Sequence, residues 1–166
     1  MAEITLGGNP INTSGSLPAV GSAAPSFVLT GADFGSVSLS DFAGQSVVLN
    51  IFPSIDTGVC ATSVRTFNER AAGLDNATVL CMSADLPPAA GRFCGTEGIE
   101  GVKTGSTFKN PEVLDDYGVR ILDGLLAGLA ARAVVVIDGS GTVVHSELVP
   151  EIAQEPDYDA ALAALG

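Results

Sequence analysis

Apolar runs and turn residues divide the chain into short segments. The runs "EITL" and "PINT" flank a "GGNP" turn, and "SFVLT" and "SVSLS" follow, which predicts an N-terminal antiparallel ribbon. From Ser46 the pattern alternates between the strand "SVVLNIF", a helix from about Val59 to Ala72, the strand "ATVLCMS" and a helix around Pro88 to Cys94. A strand–helix–strand succession indicates a parallel pair of strands joined by a right-handed crossover.

Capping and turn residues indicate where the helices and strands of the second half of the chain begin and end. Asn110 as N-cap, Pro111 in the first turn and Gly118 as the stop predict another helix. The strand "AVVVID", the turn "DGSG" and the strand "TVVHSEL" predict a hairpin, and Asp157 is expected to cap a last helix. The expected order is β-α-β-α-α-β-β-α after the N-terminal strands, in one α/β domain that spans residues 1–166.

Composition narrows the classes of function. The chain has 166 residues, enough to bury a core without metals or disulfides. Its net charge is −12, from 7 Lys plus Arg against 19 Asp plus Glu, which disfavours nucleic acids and anionic membranes as partners. The N-terminus lacks the features of a secretory signal, and the most apolar stretch is interrupted by Arg132. We therefore expect a cytoplasmic protein that does not enter membranes.

The three cysteines are Cys60, Cys81 and Cys94. Their odd number, without a secretory signal, argues against a structural disulfide framework and leaves reactive or buried thiols. Cys60 falls in the first turn of a predicted helix, where unpaired N–H groups and the helix dipole favour an anion such as a thiolate. Taken alone, Cys60 is either a buried filler residue or a nucleophile.

A reactive thiol also needs donors around its sulfur, because a lower thiol pKa raises the thiolate fraction but reduces its nucleophilicity. Thr57 and Arg132 are the candidates. The Thr57 hydroxyl can cap the helix or reach the sulfur and a bound oxygen. Pro53 has no N–H donor and a fixed φ, so it would shape the turn and shield the thiol. The alternatives are an ordinary N-cap for Thr57, a strand terminator for Pro53 and a surface charge for Arg132.

The segment "NIFPSIDTGVCATSVRTFN" is similar to the active-site segment of the peroxiredoxins, with Pro53, Thr57 and Cys60 at the family's spacing. With "SADLPPAAGRFCGTEG" and "GLAARAVVVID", nearly the whole chain resembles the atypical two-cysteine peroxiredoxins of the thiol peroxidase branch. The resemblance implies a thioredoxin-like fold with an N-terminal β-hairpin extension. It also implies that Cys60 is the peroxidatic cysteine, Cys94 the resolving cysteine, Thr57 and Arg132 parts of the peroxide site, and Pro53 part of the substrate pocket.

The resemblance further implies a mechanism. The Cys60 thiolate would attack the O–O bond of hydrogen peroxide or an organic hydroperoxide and become a sulfenic acid. Cys94 would then form an intramolecular disulfide with it, which thioredoxin would reduce, without a cofactor and in a homodimer. Because a disulfide needs Cα atoms within about 7 Å, we expect local unwinding near Cys60 and Cys94 on oxidation.

The remaining candidates have simpler interpretations. Cys81, in an apolar strand, is expected to be an inert core residue. His145 is the only histidine, so a zinc site lacks its ligands and no metal is expected. Two other function classes stay open. A dithiol–disulfide oxidoreductase would usually carry C-x-x-C, where this chain has "TGVC". A redox sensor would form the disulfide but turn over poorly.

Overall fold

The computed structural model describes residues 1–165. The chain begins with a separate hairpin, β1 (Glu3–Leu6) and β2 (Asn9–Asn12), which pair antiparallel around the predicted glycine turn. A second hairpin, β3 (Val28–Thr30) and β4 (Ser36–Ser38), belongs to the edge of the main sheet instead. The predicted N-terminal ribbon is therefore two hairpins in two sheets.

The main sheet has seven strands in the order β4-β3-β7-β6-β5-β8-β9. The strands β5, β6 and β7 are parallel neighbours, and β8 and β9 form the antiparallel hairpin on the other side of β5. The apolar run that predicts β5 thus marks a central strand of the sheet. The remaining strands are β5 (Ser46–Ile51), β6 (Ala77–Ser83), β7 (Val102–Ser106), β8 (Ala133–Ile137) and β9 (Val143–Leu148).

Within the described residues, four α-helices connect or follow these strands: α1 (Gly58–Ala71), α2 (Pro87–Glu97), α3 (Glu112–Asp116) and α4 (Tyr158–Ala163). A short 3-10 helix, Leu39–Phe42, precedes β5. α2 ends in a left-handed Gly98 (φ 67°), so that the backbone N–H of Ile99 closes back on the Cys94 carbonyl at 2.8 Å. Asp157 caps α4 as predicted, since its side chain accepts from the backbone N–H of Ala160.

Apolar side chains pack on both faces of the sheet. Alternate residues of β5 divide between the faces: Leu49 and Ile51 pack with α3 and the N-terminal hairpin, and Val48 packs with α1 and α4. The described helices α1, α2 and α4 contribute to this second face. Cys60 and Cys81 are both members of the second cluster, so the site lies between the sheet and α1.

Two further sequence predictions differ from the structure. The strand β7 was missed, so the order after the N-terminal strands is β-α-β-α-β-α-β-β-α. Its sequence, VKTGS, has no apolar run, and its Gly105 leaves room for Leu29, whose Cδ1 would lie 2.6 Å from a Cβ at that glycine. The N-cap of α3 is Pro111 rather than Asn110, whose side-chain amide donates to the Glu112 carboxylate at 3.1 Å.

Candidate active site

Cys60 lies in the first turn of α1, as the sequence predicts. β5 ends at Ile51, and Pro53, which has no N–H to donate to a neighbouring strand, leads into a turn that ends at Thr57. Thr57 has extended backbone angles and is the N-cap residue, so Cys60 is the third residue of the helix. The sulfur is therefore attached where backbone N–H groups and the helix dipole favour a negative charge.

The Arg132 guanidinium contacts the Cys60 sulfur directly. Nη2 of Arg132 donates to Sγ of Cys60 at 3.1 Å, and Nε donates to the Ile152 carbonyl at 2.8 Å. Arg132 is only 1% exposed, so its interpretation as a surface charge is wrong. Cys60 has no exposed surface. A fixed positive charge is thus held against a buried sulfur at a helix N-terminus.

The third nitrogen of the Arg132 guanidinium, Nη1, is buried and has no hydrogen-bond partner among residues 1–165. A buried guanidinium N–H without a partner is costly, and a catalytic role or a bound water or ion is among the explanations for such a group. Nη1 is therefore available to a bound acceptor oxygen.

Thr57 makes a different contact from those considered in the sequence. Its side chain is exposed and does not cap α1; the hydroxyl donates to the Ser54 carbonyl at 2.9 Å. The backbone N–H of Thr57 donates to the same carbonyl at 3.2 Å. Thr57 therefore fixes the turn before α1, and in this arrangement its hydroxyl does not bond to the sulfur.

An apolar cleft of about 360 Å³ lies at this end of α1. Cys60 is not among its lining residues, but the three residues before it in the chain and Arg132 are. The buried sulfur thus lies behind the cleft wall, to which Pro53 also belongs. The lining residues are Leu6, Pro53, Ser54, Thr57, Gly58, Val59, Leu126, Leu129, Arg132, Ile152 and Ala153.

Cys94 does not line the cleft at the start of α1. It is half-buried in α2 and lines a second cleft, of about 470 Å³, between the β3–β4 hairpin and β7. The two clefts share no lining residue, and all three cysteines are free. Burial raises the pKa of the Cys94 thiol above its ordinary value of 9.0. The structure therefore brings together Pro53, Thr57, Cys60 and Arg132, whereas Cys94 lies at the edge of the same apolar cluster as Cys60 and lines a different cleft.

Cys81 is a core residue, as predicted. It is 2% exposed, and burial raises the pKa of its thiol to about 12. Its nearest polar partner is the buried Asn50, whose amide nitrogen lies 3.8 Å from the Cys81 sulfur and 3.2 Å from the Ser63 hydroxyl. Ser63 in turn donates to the Cys60 carbonyl at 2.8 Å. This chain of polar groups supports the first turn of α1 from behind.

Sequence reasoning missed Asn50 and Ser63. The signal was available for Asn50, since it is a single amide within the apolar run of β5 and is completely buried. A buried amide needs partners, which points to a polar neighbour across the sheet face. Ser63 gave no such signal, because a serine within a helix is ordinary on an exposed face. Only the packing of α1 against β5 turns it inward.

Other kinds of site were also considered. Within residues 1–165, no cluster of three or more His, Cys, Asp or Glu side chains is placed to hold a metal ion. None of the described helices is long and apolar enough to cross a membrane. His145 lies in β9, and its Nε2 is buried without a partner among the described residues.

The chain matches known proteins over most of its length. The family model described as Redoxin matches residues 19–162. Thiol peroxidases of Mycobacterium bovis and Mycobacterium tuberculosis are 64% identical over 166 residues, which covers 100% of this chain and 99% of each relative. A peroxiredoxin-like protein from Aquifex aeolicus superposes with a TM-score of 0.94 at 37% identity, covering 99% of this chain and 96% of that one.

A thiol peroxidase from Chromobacterium violaceum has a TM-score of 0.91 at 21% identity and covers 98% and 94% of the two chains, which supports the fold. The thioredoxin-like fold with an N-terminal hairpin is thus confirmed. Such a fold, with an arginine-bound thiol at a helix start, defines the peroxiredoxin class of redox proteins. The chain belongs to the redoxin family and, within it, to the thiol peroxidases, which are peroxidase enzymes of this class.

Proposed function

We propose that this peroxidase reduces hydrogen peroxide and organic hydroperoxides through a sulfenic acid on Cys60 and a disulfide between Cys60 and Cys94. Thioredoxin is the proposed reductant, and antioxidant defence the proposed role. The observation that carries the proposal is the 3.1 Å contact from Arg132 to the Cys60 sulfur, beside a buried N–H donor without a partner among residues 1–165. One nitrogen stabilises the nucleophile while the other is free for a substrate oxygen.

In the first step, one oxygen atom is transferred from the hydroperoxide to the Cys60 sulfur. The Cys60 thiolate attacks one peroxide oxygen, the O–O bond breaks, and the second oxygen leaves with a proton as water or an alcohol. Nη1 of Arg132 donates to the peroxide and stabilises the charge that develops on the leaving oxygen. Cys60 becomes a sulfenic acid and is oxidised by two electrons. Pro53 shields the thiol from water, and Thr57 orders the turn that holds it.

The apolar cleft supports a substrate with a hydrocarbon part. Leu126, Leu129 and Ile152 line it beside Arg132, so an alkyl group can pack there while the peroxide group reaches the guanidinium. Hydrogen peroxide has no group to fill this space. Organic hydroperoxides are therefore the substrates that we expect to show the lower KM.

The second step joins two cysteines that lie on different helices. The Cys94 thiol attacks the Cys60 sulfenic sulfur, the S–O bond breaks, and water leaves as the disulfide forms. The Cys60 sulfur is buried behind the wall of one cleft and Cys94 lines another, which supports the expectation that α1 and α2 unwind locally before the sulfurs meet. The raised pKa of the Cys94 thiol indicates that its attack on the sulfenic acid needs a change in its surroundings as well.

The proposed setting is the cytoplasm, with the chain folded as one domain over residues 1–166 and paired as a homodimer. Leu125 is 95% exposed and Leu122 44%, next to the cleft residues Leu126 and Leu129. Apolar side chains exposed together are typical of an interface. A second copy of the chain that covers these leucines would also close the cleft beside Arg132.

The test is peroxide consumption coupled to NADPH oxidation through thioredoxin and thioredoxin reductase. Cys60→Ser should abolish turnover, and Cys94→Ser should allow one turnover and then stop. Cys81→Ser is the matched control, because its thiol is buried and its replacement should leave turnover intact. Sustained turnover in Cys60→Ser would refute the proposal. If the wild type forms the disulfide without sustained turnover, the protein is better explained as a redox sensor. If turnover proceeds with glutathione alone, glutathione rather than thioredoxin is the reductant.

A further inference from the structure

Asp85 lies between the two segments that carry the redox cysteines. It follows β6 and precedes α2, which begins at Pro87 and contains Cys94. Its side chain reaches across to the turn between β5 and α1, the turn that leads to Cys60. One residue therefore contacts both segments that must move before a disulfide between Cys60 and Cys94 can form.

The Asp85 carboxylate accepts three hydrogen bonds. Oδ1 accepts from the Ser54 hydroxyl at 2.6 Å, and Oδ2 accepts from the Ile55 backbone N–H at 2.8 Å and from the Ser83 hydroxyl at 2.7 Å. Two of these donors belong to the turn before α1, and the third belongs to the end of β6. Hydrogen bonds to a carboxylate are stronger than those between neutral groups. The carboxylate therefore links the two loops.

The link continues to the start of α1. The Ser54 carbonyl accepts from both the backbone N–H and the hydroxyl of Thr57, and the Thr57 carbonyl accepts from Ala61 at 2.9 Å in the first turn of α1. A continuous series of hydrogen bonds thus runs from Asp85 through Ser54 to Thr57, the residue at which the helix with Cys60 begins.

The main chain of Asp85 is also hydrogen-bonded near the start of α2. The Ser106 hydroxyl, at the end of β7, donates to the Asp85 carbonyl. The next carbonyl along the chain, that of Leu86, accepts from the backbone N–H groups of Ala89 and Ala90 in the first turn of α2. No side chain caps α2, and the bond from Ser106 to the Asp85 carbonyl fixes the chain two residues before the helix begins.

We propose that Asp85 is a positioning residue that holds the Cys60 turn and the start of α2 in the folded arrangement, and so controls when the Cys60 sulfenic acid meets Cys94. This proposal rests on the proposed function. The sulfenic acid has two fates. It can condense with the Cys94 thiol and release water, or take an oxygen from a second hydroperoxide, which leaves as an alcohol or water, to become a sulfinic acid.

The two reactions of the sulfenic acid depend differently on the hydrogen bonds of Asp85. Disulfide formation requires the loops to separate, because the Cys60 sulfur is fully buried at the start of α1, whereas Cys94 lines a cleft beside α2. The second oxidation takes place in the folded arrangement. Loosening the Asp85 link should therefore favour the disulfide over the sulfinic acid, and it should slow the first attack on peroxide, which needs Cys60 held against Arg132.

The experiment compares wild type with Asp85→Asn during turnover with thioredoxin at increasing cumene hydroperoxide. Asn keeps the size but offers one acceptor oxygen in place of two. The peroxide concentration that converts half of the Cys60 to sulfinic acid, measured by intact-protein mass spectrometry, should rise about tenfold, which corresponds to the loss of one charge-assisted hydrogen bond. The rate of the first oxidation should fall in the same variant.

Asp138→Asn is the matched control. Asp138 also accepts three hydrogen bonds, from the backbone N–H groups of Ser140 and Thr142 and from the Ser140 hydroxyl, but in the β8–β9 turn, which carries no cysteine. A merely structural role for Asp85 predicts that both variants lose thermal stability and that neither changes the ratio of disulfide to sulfinic acid. That result would overturn the proposal.

Ser54→Ala provides a second variant that removes one donor and keeps Asp85. It should shift the ratio in the same direction, and its effect should not add to that of Asp85→Asn, because both break one link. If Asp85→Asn does not fold, an unchanged ratio in Ser54→Ala overturns the proposal. The proposed function is tested separately, in wild type and Cys60→Ser. If wild type forms no disulfide, both proposals fail. If wild type forms the disulfide and the Asp85 and Ser54 variants show the wild-type ratio, only the proposal for Asp85 fails.

Discussion

Replacing Arg132 by lysine tests how the thiol is activated. Arg132 reaches the Ile152 carbonyl through Nε and the Cys60 sulfur through Nη2. A lysine keeps the positive charge, but its single ammonium group lacks the planar fork that serves both partners. The loss of one hydrogen bond to a charged group is worth about 1.5–3 kcal/mol, which corresponds to a rate reduction of roughly 10- to 150-fold. We expect this decrease in the second-order rate constant for peroxide.

The assay is rapid quenching of the pre-reduced enzyme at several peroxide concentrations, with the oxidised fraction of Cys60 read by mass spectrometry. Arg132→Met should react more slowly still, because it also removes the charge. Arg120→Lys is the control, since Arg120 pairs with the exposed Asp115 on the surface, through Nε at 2.8 Å, and has no role in the site. A rate constant for folded Arg132→Lys within about threefold of wild type would refute this explanation of reactivity.

Three further predictions concern the fold and the assembly. Burial raises the pKa of the Cys81 thiol from 9.0 to about 12, so its contribution to stability is complete below pH 9 and is lost as the pH rises towards 12. Urea denaturation should show a loss of stability between pH 9 and about pH 10.5 that is about 1.5 kcal/mol larger in wild type than in Cys81→Ser; equal slopes would contradict this prediction. Gly118 has a φ of +69°, and a Cβ there would lie 2.3 Å from the Ser16 carbonyl oxygen. Gly118→Ala should therefore cost more than about 2 kcal/mol, and more than Gly128→Ala, where φ is +94° but no atom lies within 4 Å; similar losses would show that the close approach does not matter. Leu125→Glu should give a monomer in sedimentation velocity if the exposed leucines form the dimer interface, whereas an unchanged dimer would place the interface elsewhere.

The strands and the helix that position the thiol could be predicted from the sequence, because their signals are local. β6 has the predicted bounds, Ala77–Ser83, and α1 begins one residue before its predicted start. An apolar run followed by a proline and a helical pattern is sufficient to place Cys60 in a first turn. β7 had no such signal, because its buried positions are Gly105 and Ser106 rather than apolar side chains.

The contacts of the site could not be predicted in the same way, because they join distant parts of the chain. Arg132 lies 72 residues from Cys60 and 20 from Ile152, and no local pattern distinguishes a surface charge from a buried cation. The Asp85 contacts join residues 30 and 31 positions apart. For Thr57 the local signal was misleading, since its hydroxyl bonds back to Ser54 instead of capping the helix.

The most direct test of the central claim is to add one equivalent of hydroperoxide to the reduced protein and identify the first oxidised atom by rapid-quench peptide mass spectrometry. The claim is that Cys60, whose sulfur accepts a hydrogen bond from Arg132, accepts the peroxide oxygen. In Cys94→Ser we expect one added oxygen on Cys60 and none on Cys81, and in wild type an intramolecular disulfide between Cys60 and Cys94. An oxygen found first on Cys94 or Cys81, with Cys60 still reduced, would contradict the claim.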